Sequence, residues 1–315
     1  MSTAAIETNG LTKVYHSLLP GQDIPAVDHL DLAVPQGTVF GYLGPNGAGK
    51  STTLKLLLDL TQPTEGTAKI LGRKPGDTTA KSKIGYMPEK QNFYNYLTAR
   101  ELLDYSAKFY KMKRSQRRKT IPRLIEYVGL EDVKGARIKT FSLGMKRRLG
   151  MAEAMLNDPE LLLLDEPMSG LDPLGRKHFK DLIKRLSRDE GKTVFLCSHV
   201  LAEVETICEM VGILSRGRLL LKESMDKLPK MHRVQFTIED ATEEAVEALR
   251  KAGMTVEIKD GRAMASTLGQ QKAEKAREVL QSYPGECLEE TVTSESLEEF
   301  FVRVINESEE GEKHA

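Results

Sequence analysis

The stretch Gly44-Pro-Asn-Gly-Ala-Gly-Lys-Ser-Thr52 constrains this chain more than any other. It fits the phosphate-binding pattern G-x-x-x-x-G-K-[ST], with glycines at 44 and 49 followed by Lys50 and Ser51. Residues 39–43 before it read as a strand, and residues 51–60 after it read as a helix, which is the context such a loop requires. Glycine lets the backbone curl so that successive N–H groups point inward at phosphate oxygens. The next helix begins there with its positive dipole end. Gly44, Asn46, Gly47, Ala48, Gly49 and Thr52 are therefore expected to cradle phosphate. Lys50 is expected to reach the β- and γ-phosphates, and the Ser51 hydroxyl to hold Mg²⁺.

With 315 residues the chain has room for roughly two domains. No apolar run approaches the roughly 20 residues that cross a bilayer. The start Met1-Ser-Thr-Ala-Ala-Ile-Glu7 has no basic cluster and no apolar core, so it does not read as a secretory signal. Cys197, Cys208 and Cys287 lack metal spacing and read as small buried residues in a reducing compartment. A cytoplasmic protein is expected, with any membrane role supplied by a separate chain. Net charge is zero, yet residues 226–315 hold 20 acidic and 12 basic residues, so that segment is near −8 and the rest near +8. Such asymmetry fits two domains with unlike surfaces.

Strands are expected at 6–15, 30–34, 67–71 and 84–87, with a turn at Pro20-Gly21. A helical block follows over about 92–158. Thr98 and Glu101 have capping-box spacing. A second helix is expected within 115–128, with Pro122 near its start or at a kink. The basic run 111–119 could suggest a nucleic-acid contact, but such a run more often forms a solvated helix face, and it is read so here. Residues 161–164 are all leucine, as suits a central strand of a parallel sheet. Asp172 and Pro173 open another helix, residues 193–197 form another buried strand, and a hairpin at 211–220 closes the first domain. From 234 the order is strand, helix, strand, turn at Asp260-Gly261, strand, helix, strand, helix. That βαββαβ order predicts a small ferredoxin-like α+β domain. Residues beyond Glu307 are acidic and expected to be disordered.

The leucine strand ends in Asp165-Glu166, read as standing beside the strand that feeds the phosphate loop. Asp165 would hold Mg²⁺, mainly through water, and Glu166 would polarise the attacking water. Ser142 would stand at a helix N-terminus, which binds anions without a basic side chain.

Taken together these motifs resemble the nucleotide-binding subunit of ABC (ATP-binding cassette) transporters over about 220 residues. Ser142-Leu-Gly-Met145 is similar to the family signature usually written LSGGQ, Ser169-Gly-Leu-Asp172 to its D-loop, and Asp165-Glu166 to its Walker B end. The resemblance implies an α/β P-loop cassette with a RecA-like core and a helical subdomain, binding ATP and Mg²⁺. It implies that Tyr15 stacks on adenine and that His199 senses the γ-phosphate beside the catalytic Glu166 and Lys50. It implies that Glu89 holds the Q-loop position and reaches Mg²⁺ or water, and that Asp172 serves the D-loop. Ser142 and Gly144 would act on ATP held by a second cassette, paired head to tail. Leu143, Met145 and Glu89 depart from the usual pattern; Gln91, two residues on, does not substitute for Glu89.

The appended domain and those departures look like the branch serving drug, antibiotic, sodium or lipid exporters. The implied protein sits on the cytoplasmic face of the cell membrane and works with a separate permease, with no nucleic acid expected. Domain limits follow as 1–225, 230–306 and an acidic tail at 307–315. The alternative is a soluble ABC ATPase acting on ribosomes or nucleic acid. The ribosomal types carry two cassettes, and the DNA-repair types carry coiled-coil or zinc insertions. This chain shows neither.

Overall fold

The runs β3 (Val39–Leu43), β6 (Leu161–Asp165) and β7 (Thr193–Ser198) are buried at every position, as central strands of a parallel sheet must be. They lie in a computed structural model that describes residues 4–15, 23–229, 231–239, 241–259, 262–282 and 286–313. The turns expected at Pro20-Gly21 and Asp260-Gly261, and the side chain of Cys287, lie outside the described residues. The chain divides into two compact units, residues 1–227 and 228–315.

The first unit opens with β1 (Ala4–Tyr15) and β2 (Ile24–Pro35), then β3, α1 (Lys50–Leu57) and β4 (Glu65–Ile70). After the single turn α2 (Thr78–Lys81) come β5 (Ile84–Met87), α3 (Ala99–Phe109), α4 (Arg114–Tyr127) and α5 (Leu143–Ala154). The rest is β6, α6 (Pro173–Arg188), β7, α7 (Leu201–Ile207), β8 (Met210–Ser215) and β9 (Arg218–Ser224). Six strands pair in the order β5-β6-β7-β3-β8-β9, all parallel except the last pair. A second, antiparallel sheet has the order β2-β1-β4. Alternate residues of both sheets meet in one core: Ile6, Leu30 and Val34 from the antiparallel sheet, with Phe40, Tyr42, Leu163 and Phe195 from the parallel one. Leu54 and Leu57 of α1 join them. The Phe40 and Phe195 rings stack at 5.6 Å, and Tyr42 lies 5.1 Å from Phe195.

This order corrects one expectation. Asp165-Glu166 does not stand beside the strand that feeds the phosphate loop, because β7 lies between β6 and β3. Two strand spacings of about 4.8 Å therefore separate the two strand ends. The gap is bridged from α1, where Ser51 Oγ lies 3.2 Å from Asp165 Oδ2.

The helical block holds the expected capping box, in which the Thr98 side chain accepts from the Glu101 N–H and the Glu101 carboxylate accepts from the Thr98 N–H. α4 starts at Arg114 and runs through Pro122, so the proline stands inside the helix and not at its start. Buried Ile121, Leu124 and Ile125 hold it against its neighbours, which offsets the missing N–H.

The second unit is β10 (His232–Glu239), α8 (Glu243–Lys251), β11 (Thr255–Lys259), β12 (Arg262–Leu268), α9 (Gln270–Ser282), β13 (Glu286–Ser294) and α10 (Leu297–Lys313). Its strands pair antiparallel in the order β11-β12-β10-β13. Val234, Phe236 and Ile238 alternate along β10 and pack on Val246 and Leu249 of α8 and on Ala273 and Ala276 of α9. α10 continues to Lys313, where disorder was expected after Glu307. Glutamate is a good helix former, and Arg303 pairs with Glu307 one turn on at 3.4 Å.

Candidate active site

The phosphate loop leaves β3 at Gly44 and re-enters regular structure at Lys50. Gly49 takes φ 109° at the N-cap of α1. A Cβ there would stand 2.1 Å from the Ala26 carbonyl oxygen, and one at Gly44 would stand 2.5 Å from that of Leu214. Both glycines are thus required by close backbone approach, and Gly49 also by its left-handed φ. Gly49→Ala is expected to destabilise the loop by more than about 1 kcal/mol. It is also expected to abolish the rise in melting temperature that ATP produces in the wild-type protein. A thermal unfolding scan with and without ATP measures both.

Lys50 is buried, and its Nζ donates to the carbonyl oxygens of Gly44 at 2.6 Å and Pro45 at 3.2 Å. The same Nζ lies 3.6 Å from Glu166 Oε1. Glu166 is the residue after β6. Its N–H donates to the Cys197 carbonyl, and its φ of 46° puts it in the left-handed region, which non-glycine residues seldom occupy. That turn swings the carboxylate back toward the loop, where Oε2 lies 2.8 Å from His199 Nδ1. Glu166 is therefore held from two sides, by Lys50 of α1 and by His199 just past the end of β7. Asn46, Gly47, Ala48, Gly49, Lys50, Ser51, Thr52, Glu89, Glu166 and His199 line one cavity of about 260 Å³.

Ser51 Oγ donates to Asp165 Oδ2 at 3.2 Å. Asp165 Oδ1 is buried and has no hydrogen-bond partner. Burial pushes the Asp165 carboxyl above its ordinary range, with the Ser51 hydrogen bond pulling the other way. A hydroxyl, a carboxylate and an orphaned buried oxygen fit a hard divalent cation such as Mg²⁺. Among the described residues no group of three or more His, Cys, Asp or Glu could hold a metal alone, so Mg²⁺ here would need oxygens from a bound nucleotide. Glu89 is exposed on the rim of the cavity. Its structural bond is through its carbonyl, which accepts from Arg147. Gln91 turns away from the phosphate loop and packs on Gly150 of α5.

Four expected residues stand elsewhere. The Ser142 side chain caps α5 by accepting from the Met145 N–H, and Asp172 caps α6 by accepting from the Gly175 N–H at 2.6 Å. Together with Gly144 they border a second cavity of about 390 Å³ that includes no phosphate-loop residue. Tyr15 ends β1, 41% exposed, with Lys13 Nζ 5.3 Å from its ring centre. It does not line the phosphate-loop cavity, whereas Ala26 does.

Arg147 is a site residue that sequence reasoning passed over. It is buried in α5, donates to the Glu89 carbonyl, and reaches the carbonyls of Pro88 and Ser169 at 3.5 Å each. Burial lowers its guanidinium pKa, while the nearby Glu89, Glu166 and Asp165 carboxylates hold its charge. Arg147 thus ties the helix capped by Ser142 to the Glu89 loop and to the turn after Glu166. The signal was available: Arg147, Met151 and Ala154 repeat at helical spacing on the buried face of α5.

A family profile described as ABC transporter matches residues 27–169. The bacitracin transport ATP-binding protein BcrA of Bacillus licheniformis is 38% identical over 314 residues, covering 97% of this chain and 98% of that protein. An uncharacterized ABC transporter ATP-binding protein of Synechocystis is 43% identical over 223 residues, covering 70% of this chain. The match spans 63% of that relative's length. Among solved structures, the ATP-binding cassette MJ0796, a dimer in a post-hydrolysis state bound to ADP and Pi, superposes with a TM-score of 0.63. It is 27% identical, and the match covers 70% of this chain and 98% of that one. With a phosphate loop, a buried acidic strand end and a histidine brought to one cavity, and a relative matching along nearly its whole length, this chain belongs to the family of ABC transporter ATP-binding proteins.

Proposed function

We propose that this chain binds and hydrolyses ATP as one subunit of an exporter whose membrane permease is a separate chain. The observation that carries this reading is the Glu166 carboxylate, set between Lys50 and His199 at the mouth of the phosphate loop. The near full-length similarity to a bacitracin transport protein supports the export direction and an antibiotic-like cargo.

In this reading the loop N–H groups and Lys50 hold the phosphates of ATP. Ser51 and Asp165, with Glu89 at the rim, would hold Mg²⁺, which supplies charge neutralisation at the phosphates. Glu166 accepts a proton from the attacking water and orients it, and His199 Nδ1 holds the carboxylate in place. Ser142 and Gly144 complete the site of a second cassette paired head to tail, a role suited to their position on a face apart from the phosphate loop. Tyr15 takes the adenine. Residues 1–225 form the cassette with its helical part at 92–158. Residues 230–306 form a ferredoxin-like accessory domain that adds dimer contacts or regulates closure. The permease attaches the chain to the cytoplasmic face of the membrane. Among the described residues no helix is long and apolar enough to cross a membrane.

Purification of the native protein from membranes in mild detergent tests the exporter reading. A co-purifying multi-spanning membrane protein is the expected result. Recovery as a lone ATPase, or with ribosomes, would overturn the transport role and leave the ATPase chemistry standing.

A further inference from the structure

We propose that β13, an outer strand of the second unit, pairs with β13 of a second copy of this chain, antiparallel about a two-fold axis at Val292. This edge would be the source of the dimer contacts proposed for the accessory domain, and the inference rests on that reading.

Edge strands are ordinarily kept short or marked with charge, because their outward N–H and C=O groups recruit further strands. The two edges of this sheet differ in that respect. β11 has 5 residues, among them Glu257 and Lys259. β13 has 9, more than any other strand of the sheet, and among the described residues it pairs only with β10. Its register with β10 runs without a shift from Glu289 to Ser294, so this stretch is a regular ladder open on one side. All six side chains there are exposed. Thr291-Val-Thr-Ser294 has no charge and no proline, and Thr291, Val292 and Thr293 are β-branched, the type that favours strand pairing.

A second observation concerns the two faces of the strand. Val292 stands opposite Val234, which packs in the core of this unit. Opposite residues of a ladder share a face, so Val292 lies on the core side, yet it is 57% exposed. The apolar surface of that face therefore runs on to the edge of the sheet, beyond the cover that buries Val234. A strand added at this edge would set a side chain beside Val292.

The register selects a second copy as that strand. Because opposite residues share a face, a two-fold axis normal to the sheet must pass through a residue and not between two. Centred on Val292, it sets Val292 against Val292 of the second copy on the core side. It sets Thr291 against Thr293 on the other side, and Glu290 against Ser294. Centred on Glu290, it would oppose two carboxylates; centred on Thr291, it would set Glu290 against Val292. Of these, only the Val292 centre joins apolar to apolar and threonine to threonine with no like charges opposed over residues 290–294. Glu290 is in any case held by Arg277 of α9, whose Nε donates to it at 3.2 Å. The product is one continuous sheet formed from two four-stranded ones.

The test uses the full chain without nucleotide. Val292→Cys, oxidised by air with copper phenanthroline, is expected to give a disulfide-linked dimer, since opposite Cα atoms of an antiparallel pair lie about 4.5–5.5 Å apart. Wild type, with Cys197, Cys208 and Cys287, and Ile258→Cys on the other edge should stay unlinked. Val292→Lys is expected to weaken the nucleotide-free dimer at least about tenfold in analytical ultracentrifugation, because it opposes two like charges. An equal mixture of Val292→Lys and Val292→Glu should restore it, which a misfolded domain would not do. Glu166→Gln carrying Val292→Lys should still dimerise with ATP, because that dimer forms through the cassettes. A nucleotide-free dimer that Val292→Lys leaves intact, or equal linking of Ile258→Cys, would overturn the β13 pairing and leave the domain's dimer contacts to another surface. A wild-type protein that stays monomeric without nucleotide, with no linking of Val292→Cys, would overturn both.

Discussion

Glu166→Gln is expected to slow ATP hydrolysis by about 10²- to 10³-fold while ATP binding survives, and ATP should then hold the protein as a stable dimer. The amide keeps the size of the carboxylate and can still accept a hydrogen bond, but it cannot take a proton from water. Lys50 retains its bonds to the Gly44 and Pro45 carbonyls, so the phosphate loop should keep its shape. The left-handed turn at residue 166 is a backbone feature, and its N–H bond to Cys197 does not involve the side chain. Phosphate release measures the rate, the ATP-induced shift in melting temperature measures binding, and size-exclusion chromatography with ATP measures the dimer. A fully active Glu166→Gln protein would remove Glu166 from the role of base. His199→Ala separates the two parts of the arrangement, since it frees Glu166 Oε2 without neutralising the base.

Phe195→Ala is expected to lower stability by about 3–5 kcal/mol. Phe195 is fully buried at the centre of the parallel sheet, stacked on Phe40 and beside Tyr42. Its removal loses the transfer energy of the ring and leaves a cavity between the two sheets, because β-strands fixed by hydrogen bonds on both sides cannot close in. Urea denaturation of the variant against wild type gives the number. Phe109→Ala makes the control, for that ring is mostly exposed and its loss should cost under about 0.5 kcal/mol. A loss below about 1 kcal/mol at Phe195 would mean that the core is far less closely packed than the ring contacts indicate. The effect on ATPase activity should be indirect, through β7, whose end carries Ser198 and His199.

Much of this was legible because it is local. The phosphate loop is a spacing of glycines, a lysine and a serine whose conformation follows from backbone sterics, and the structure places it between β3 and α1 as those residues require. The strands 39–43 and 84–87 fall where the apolar runs lie, since a strand buried on both faces has no polar positions to confuse its limits. The Thr98–Glu101 capping box is present for the same reason: it uses only residues three apart. The helix within 115–128 was legible, with Pro122 expected near its start or at a kink; that the proline lies inside one continuous helix was left to the burial of Ile121, Leu124 and Ile125, since local propensity argues for a break there. The inward turn of Arg147 was not apparent in a run of three basic residues, although the period of α5 contained it.

What the residues determined by themselves is the local chemistry: a glycine-rich loop whose spacing fits phosphate binding, a carboxylate pair at the end of an all-leucine strand, and the division into a larger first unit and a smaller βαββαβ unit. Only the tertiary structure decided which of these meet. Strand order is a property of the packed sheet: with β7 next to β6, His199 stands beside Glu166, and Ser51 reaches Asp165 although β7 lies between their strands. Ser142 and Asp172 border a cavity that includes no phosphate-loop residue. Contacts between residues more than a hundred positions apart depend on how sheets and helices exclude water together, and no local spacing encodes that.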